Sequence, residues 1–272
     1  LRTENGLDYS PTFDSSPYFF NPIHLRSLPR FFSSYVVLPN LNAMWFLFAF
    51  FFAAFILVAA TIALPAWMAY GRSSNSLPAP VGGVAYFICL GLGFMCVEMA
   101  MMQQLSIFLG QPIYSMVVVL AGLILSAGIG SFVSDYWPAQ SAWQCRIPPI
   151  AGVVLVVLYF FLVLPVIHAC VAAPLWQRAG ICLLLISPAG FALGFCFPVG
   201  LRWMTALSQQ HNLPWMWALN GAAGTLGSFV AMLVSMETSI GVCVLTGAGL
   251  YLVAALMLPN RAPARAVASQ SA

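Results

Sequence analysis

From about residue 43 to residue 258 the sequence is one long apolar run after another, each closed by a short polar, glycine or proline break. This spacing constrains the fold more than any other feature. A hydrocarbon core ~30 Å thick is crossed by about 20 apolar residues in a helix. Measured that way, the chain offers seven candidate spans, near 43–70, 82–108, 113–134, 148–172, 179–204, 215–236 and 239–258. Hydrophobic residues make up 62% of the 272 and charged residues only 6%, whereas an ordinary soluble domain is about 25% charged. A water-soluble core is excluded on those grounds. The expected fold is all-α, a polytopic transmembrane bundle of about seven helices over residues 41–258.

The breaks between spans make chemical sense. Gly71 to Pro80 is a Ser/Pro/Gly loop, Gly110-Gln111-Pro112 a tight turn, and Asp135 to Pro149 a polar, proline-containing connection. Pro174 to Arg178 reads as a short break, Glu237-Thr238-Ser239 as a very short hairpin, and Ser208 to Pro214 as a loop carrying His211 and Asn212. Tryptophans 137, 143, 176, 203, 215 and 217 stand near these ends, where amphipathic rings anchor a helix at the membrane–water boundary. Small residues recur four apart at Gly122/Ser126, Gly190/Gly194 and Gly224/Ser228. Such pairs let helices approach closely in lipid, so a compact bundle is expected.

Two flanking segments differ in character. Residues 1–40 carry prolines at 11, 17, 22, 29 and 39 and the aromatics Tyr18, Phe19, Phe20, Phe31 and Phe32. Prolines this dense prevent a long helix, leaving either a polar strap along an interface or a linker. Residues 259–272, rich in Ala, Pro, Arg and Ser, read as a disordered tail. The polar start at Leu1 has no signal-peptide pattern and reads as a chain that begins partway through a longer product.

Chemistry-bearing residues are few. Glu98 is the one acid inside a span, on the segment Tyr86 to Tyr114, with Gln103 and Gln104 following. A carboxylate at the bilayer centre costs roughly 2.5–3.5 kcal/mol on insertion scales, so it should face protein or water. Glu98 reads either as a proton- or cation-handling acid or as a hydrogen-bonded one that knits two helices. Helical geometry puts Met102 on its face and Gln103 off it. Arg202 reads as a residue that snorkels to an interface, or one that pairs with Glu98 or Asp135. Asn220 is an interhelical hydrogen-bond donor or a substrate contact, and Pro188 and Pro198 are expected kinks of the kind that line transporter cavities.

His168 reads as a packing residue. None of His24, His168 and His211 has a second ligand at helical spacing, and the seven cysteines form no CxxC pair, so no metal or cofactor site is expected. No phosphate-cradling glycine loop, GxSxG or HExxH occurs. The net charge of +3 comes from arginine alone and forms no basic stripe, so nucleic acid is not an expected partner. Arginines on the two sides of a seven-span bundle are too evenly shared to fix an orientation.

The run Gly91-Leu92-Gly93-Phe94-Met95-Cys96-Val97-Glu98-Met99-Ala100 with Gln103, then Phe108-Leu109-Gly110-Gln111-Pro112-Ile113-Tyr114-Ser115, resembles the membrane half of bacterial spermidine-synthase-like integral membrane proteins. Their pattern is G-x-G-F-x-x-V-E-x-x-x-x-Q…F-L-G-H-P-x-Y. Gly128 to Ser131, Gly194 to Arg202 and Trp215 to Ser228 are similar to later blocks of that family. Thr12-Phe13-Asp14-Ser15-Ser16-Pro17-Tyr18-Phe19-Phe20 looks like its T-x-D-x-x-P-F-F strap. Gln111 stands where the family has His, and Gln104 where it has a basic residue, which weakens any proton or anion role there.

The resemblance implies major-facilitator-like helices in the bacterial inner (cytoplasmic) membrane, with any aminopropyltransferase-like activity in a separate nucleotide-fold domain. Three functions follow as expectations. The chain is a non-catalytic membrane domain that anchors or serves a transferase-like module, with a small cationic or lipidic substrate. Alternatively it is a structural accessory subunit of a larger membrane complex, or a transporter half.

Overall fold

The computed structural model describes residues 46, 48–61 and 80–258. The expected strap over 1–40 and the tail over 259–272 lie outside the described residues. Within them the chain forms α1 (Phe48–Thr61), α2 (Val81–Leu109), α3 (Pro112–Val133) and α4 (Ala142–Cys170). It continues through α5 (Leu175–Ala206), α6 (Leu213–Glu237) and α7 (Ile240–Met257). No strand occurs among the described residues. The fold is an all-α bundle, and α2 to α7 are each long and apolar enough to cross a membrane. The described part of the first expected span, α1, is shorter than a crossing requires, and the rest of 43–70 lies outside the described residues.

Turn chemistry sets the helix ends. Gly110 closes α2 in the left-handed region (φ 81°), its N–H bonded back to the Ser106 carbonyl, and Pro112 occupies the first turn of α3. Glycine after a helix and proline at the start of the next are what this two-residue reversal, Gly110-Gln111, demands.

Two boundaries differ from the sequence reading. The polar connection ends at Ser141 rather than Pro149, because Ser141 and Gln144 form a reciprocal capping box that starts α4 at Ala142. Pro148 and Pro149 therefore lie inside the helix. Pro148 has no N–H for the Gln144 carbonyl four residues back, and the Trp137 indole N–H donates to that carbonyl instead, at 3.0 Å. Of the expected break Pro174 to Arg178, only Pro174 stays outside α5, which starts at Leu175 rather than near 179. The Pro174 carbonyl accepts from the Gln177 and Arg178 amides, and this stretch is the first turn of α5.

Helix α2 is the axis of the bundle, packed against α3, α5, α6 and α7. Of its most apolar window 56% is buried inside the protein, against 22% for α4. The other helices turn large apolar side chains outward, among them Leu125, Phe161 and Leu184, which is 77% exposed. Exposed apolar surface on this scale is what a lipid surround accommodates and water does not. This is an integral membrane bundle.

Arginines fasten the ends. Arg178 Nη1 donates to the Phe108 carbonyl at the end of α2 (2.8 Å), and Arg146 Nη2 to the Leu258 carbonyl just past α7 (3.0 Å). Arg202 Nη2 donates to the Ser134 carbonyl beyond α3. The last carbonyls of a helix have no partner within it, and a cation there also meets the negative end of the helix dipole.

Candidate functional site

The sequence directs attention to α2, and Glu98 sits within about 5 Å of that helix's midpoint along its axis. Its side chain is buried, at 5% exposure. No hydrogen bond or ion pair to its carboxylate forms among the described residues. The acid therefore faces protein and is held by packing.

Gln103 and Gln104 diverge from it, since consecutive residues on a helix are turned by about 100°. Gln103 points at α6, its Nε2 3.9 Å from Met232 Sδ and its Oε1 buried with no hydrogen-bond partner among the described residues. Gln104 points at α4 and accepts a long hydrogen bond from the Tyr159 hydroxyl, 3.4 Å. The three polar residues of α2 thus serve three different seams.

Arg202 and Asn220 stand near the other end of α2. Arg202 pairs with Asp135 (4.0 Å) as well as the Ser134 carbonyl, so of the alternatives open in the sequence the structure displays a pairing, with Asp135 and not with Glu98. Asn220 Nδ2 donates to the Phe87 carbonyl at 3.0 Å. Phe87 is eleven residues before Glu98, about 16 Å along the axis, so neither Arg202 nor Asn220 joins Glu98 in one site.

The small-residue pairs divide as well. Gly190 packs on Ser126 and Gly194 on the Ala127 backbone, both at the α3–α5 crossing, and Gly122 meets Ile186 and Leu183 there. Gly224 faces Gly91 on α2, while Ser228 borders an open groove.

That groove has a volume of about 390 Å³ and lies between α2, α5 and α6, with Tyr251 of α7 also lining it. Its lining includes Leu90, Phe94, Leu193, Phe197, Asn220 and Gly221. Glu98 is not among the lining residues; it lies one turn beyond Phe94 and Met95. A second cavity of about 270 Å³, between α2, α4 and α7 toward the opposite end, is bordered by Gln104, His168 and Ser239. Among the described residues no three His, Cys, Asp or Glu side chains come together as a metal site.

Comparison with protein-family models, curated proteins and solved structures finds no match to this chain.

Several buried polar contacts were not singled out by sequence. The Tyr86 hydroxyl donates to the Cys196 carbonyl (2.7 Å) and Ser115 Oγ to the Met102 carbonyl (2.6 Å). Cys243 Sγ lies 3.5 Å from the Cys96 and Ala231 carbonyls, joining α7 to α2 and α6. One signal was available for Tyr86: Gly200 lies against its ring, where a Cβ would overlap it, and Gly200 stands in the conspicuous Phe197-Pro198-Val199-Gly200 run.

Proposed function

We propose that this chain is the membrane-embedded domain of a spermidine-synthase-like integral membrane protein of the bacterial inner membrane. In this reading its role is non-catalytic: it anchors a transferase-like module and holds a lipidic or small cationic substrate for it. One observation carries the proposal. The sequence blocks that support the resemblance meet each other in space. Gly91 of the first block abuts the Asn220 carbonyl and Gly224 of the last, and a Cβ on Gly91 would overlap that carbonyl. Asn220 in turn donates to Phe87, four residues before Gly91. Gly130 of one middle block packs on the Phe191 backbone, just before the other block, and Gly194 of that other block packs on Ala127, just before the first. Residues 60 or more positions apart are thus small or polar because their helices pack closely, as lipid-embedded packing requires.

The test is purification from the native membrane in mild detergent, followed by photolabelling with an aryl-azide analogue of S-adenosylmethionine. The expected result is a labelled nucleotide-fold polypeptide, covalently continuous with these helices or bound to them. No labelled polypeptide, together with stable association with other membrane subunits, would assign the chain as an accessory subunit. No label together with pH-driven amine uptake into reconstituted vesicles, abolished by Glu98→Gln, would assign a transporter half.

A further inference from the structure

Helices α5 and α6 both pack on α2 but part from one another along its Leu90–Met95 stretch, and the gap is the groove of about 390 Å³. The wall formed by α6 is too slight to close it. Among the described residues nothing lies within 4 Å of where a Cβ on Gly221 would sit, and a Cβ on Gly224 would find only ordinary contacts at 3.9 Å. Thr225 and Ser228 donate their hydroxyl protons back to the Gly221 and Thr225 carbonyls of their own helix. The groove therefore offers largely apolar walls, to which Tyr251 of α7 also contributes, and one carboxamide, that of Asn220. Its Nδ2 has one hydrogen on the Phe87 carbonyl, and no further partner engages it among the described residues.

Size and depth decide what fits. One helical turn with its side chains is 10–12 Å across and 5.4 Å tall and occupies roughly 400–600 Å³, so a helix from a second copy does not enter. Apolar cavities do not retain water, which leaves a slender apolar chain. Asn220 is seven residues past the start of α6, roughly 10 Å below it. The headgroup layer on each side of the hydrocarbon is roughly 5–8 Å thick, so Asn220 stands near the depth of lipid ester linkages. Phe197 walls the groove there, edge-to-face with Trp217 (centroids 4.6 Å apart) and with Phe87 (5.4 Å).

We propose that the groove between α5 and α6 holds one acyl chain of a bilayer glycerophospholipid, with the Asn220 carboxamide donating to its ester carbonyl. The inference rests on the membrane-embedded reading and gives the lipidic substrate of that reading a seat. It does not require the transferase-like module, so the two can fail separately: the photolabel with the S-adenosylmethionine analogue tests the module and a lipid photolabel tests the groove.

The probe is a phosphatidylcholine with a diazirine midway along one ester-linked chain, incorporated with the full chain into nanodiscs. Irradiation is expected to place adducts on peptides holding Leu90, Phe94, Leu193 and Phe197. Gly221→Leu, which fills the groove, is expected to lower those adducts at least about tenfold. Gly249→Leu, on α7 where a Cβ also meets nothing within 4 Å, leaves them unchanged. Asn220→Ala lowers labelling by the ester-linked lipid but not by its ether-linked counterpart, which lacks the carbonyl. Adducts spread evenly over outward residues such as Phe161 and Leu184, or undiminished in Gly221→Leu, would overturn the proposal. Equal losses for ester and ether lipids in Asn220→Ala would overturn the role given to the carboxamide.

Discussion

Replacing Gly194 with leucine is expected to abolish assembly of the bundle. The α3–α5 crossing is built on backbone contact: a Cβ at Gly194 would overlap the Ala127 backbone, and one at Gly130 would overlap the Phe191 carbonyl. A clash with a flexible side chain can be relieved by a new rotamer, whereas a clash with backbone requires the helices to separate. Overpacking a well-filled core costs typically 1–3 kcal/mol, and more where nothing can move. Separating α3 from α5 would also undo the seating of Gly190 on Ser126 and of Gly122 on Ile186 and Leu183. The loss should therefore reach or exceed roughly 3 kcal/mol, a large share of a typical 5–15 kcal/mol stability. Size-exclusion profiles after mild detergent extraction read this out. Gly194→Leu should give aggregate in place of a monodisperse peak. Gly180→Leu, where a Cβ meets nothing within 4 Å, should behave as the parent. A monodisperse Gly194→Leu with an unchanged thermal midpoint would show that this crossing is not as close as described.

Charge reversal at Glu98 should be as damaging by a different route. The side chain is buried at 5% exposure near the middle of α2, and no cation pairs with it among the described residues. An ammonium placed there would be a larger group with its own charge to solvate. Burying an unpaired ion costs several kcal/mol even after relaxation, and insertion scales assign roughly 2.5–3.5 kcal/mol to lysine at a membrane-helix centre. Glu98→Lys is thus expected to fail to accumulate as folded protein. Glu98→Gln keeps the shape and carries no charge, so it should fold with a midpoint close to the parent. Glu98→Leu separates the remaining roles: a lost fold would mean that the carboxyl knits helices together, and a retained fold would leave it for function. A folded Glu98→Lys would mean that position 98 reaches water or headgroups, against the packing around α2.

How much of this was legible beforehand depends on the range of the interaction. Length and hydrophobicity alone mark out the apolar helices, and Glu98 with the glycines around it marks α2 as the one that must be surrounded. Local chemistry that was present but outweighed explains the misplaced starts of α4 and α5. Pro148-Pro149 looks like a break until Ser141 and Gln144 are recognised as a capping box upstream of it. Gln103 and Gln104 look like one polar spot with Glu98 in sequence, yet a turn of about 100° per residue sends them to different neighbours.

Partners at long range could not be read at all. Nothing near Arg178 or Arg146 indicates that they close α2 and α7. Nothing near Gly221 indicates that it has no close neighbour among the described residues while Gly91, a similar glycine in a similar run, is tightly enclosed. The groove, which is defined by what is missing between helices, has no signature in any single stretch.

The most direct measurement is oxygen and nickel-chelate accessibility of nitroxide labels in a bilayer, read by electron paramagnetic resonance on a background freed of native cysteines. Oxygen concentrates among acyl chains, and the chelate stays in water. Labels at Leu125, Phe161 and Leu184 should collide freely with oxygen and scarcely with nickel. Labels at Val97 and Ala100 on α2, both fully buried, should be shielded from both. A label at Ala100 as open to oxygen as one at Leu184, or outward positions quenched by nickel rather than oxygen, would contradict a lipid-embedded bundle built around α2.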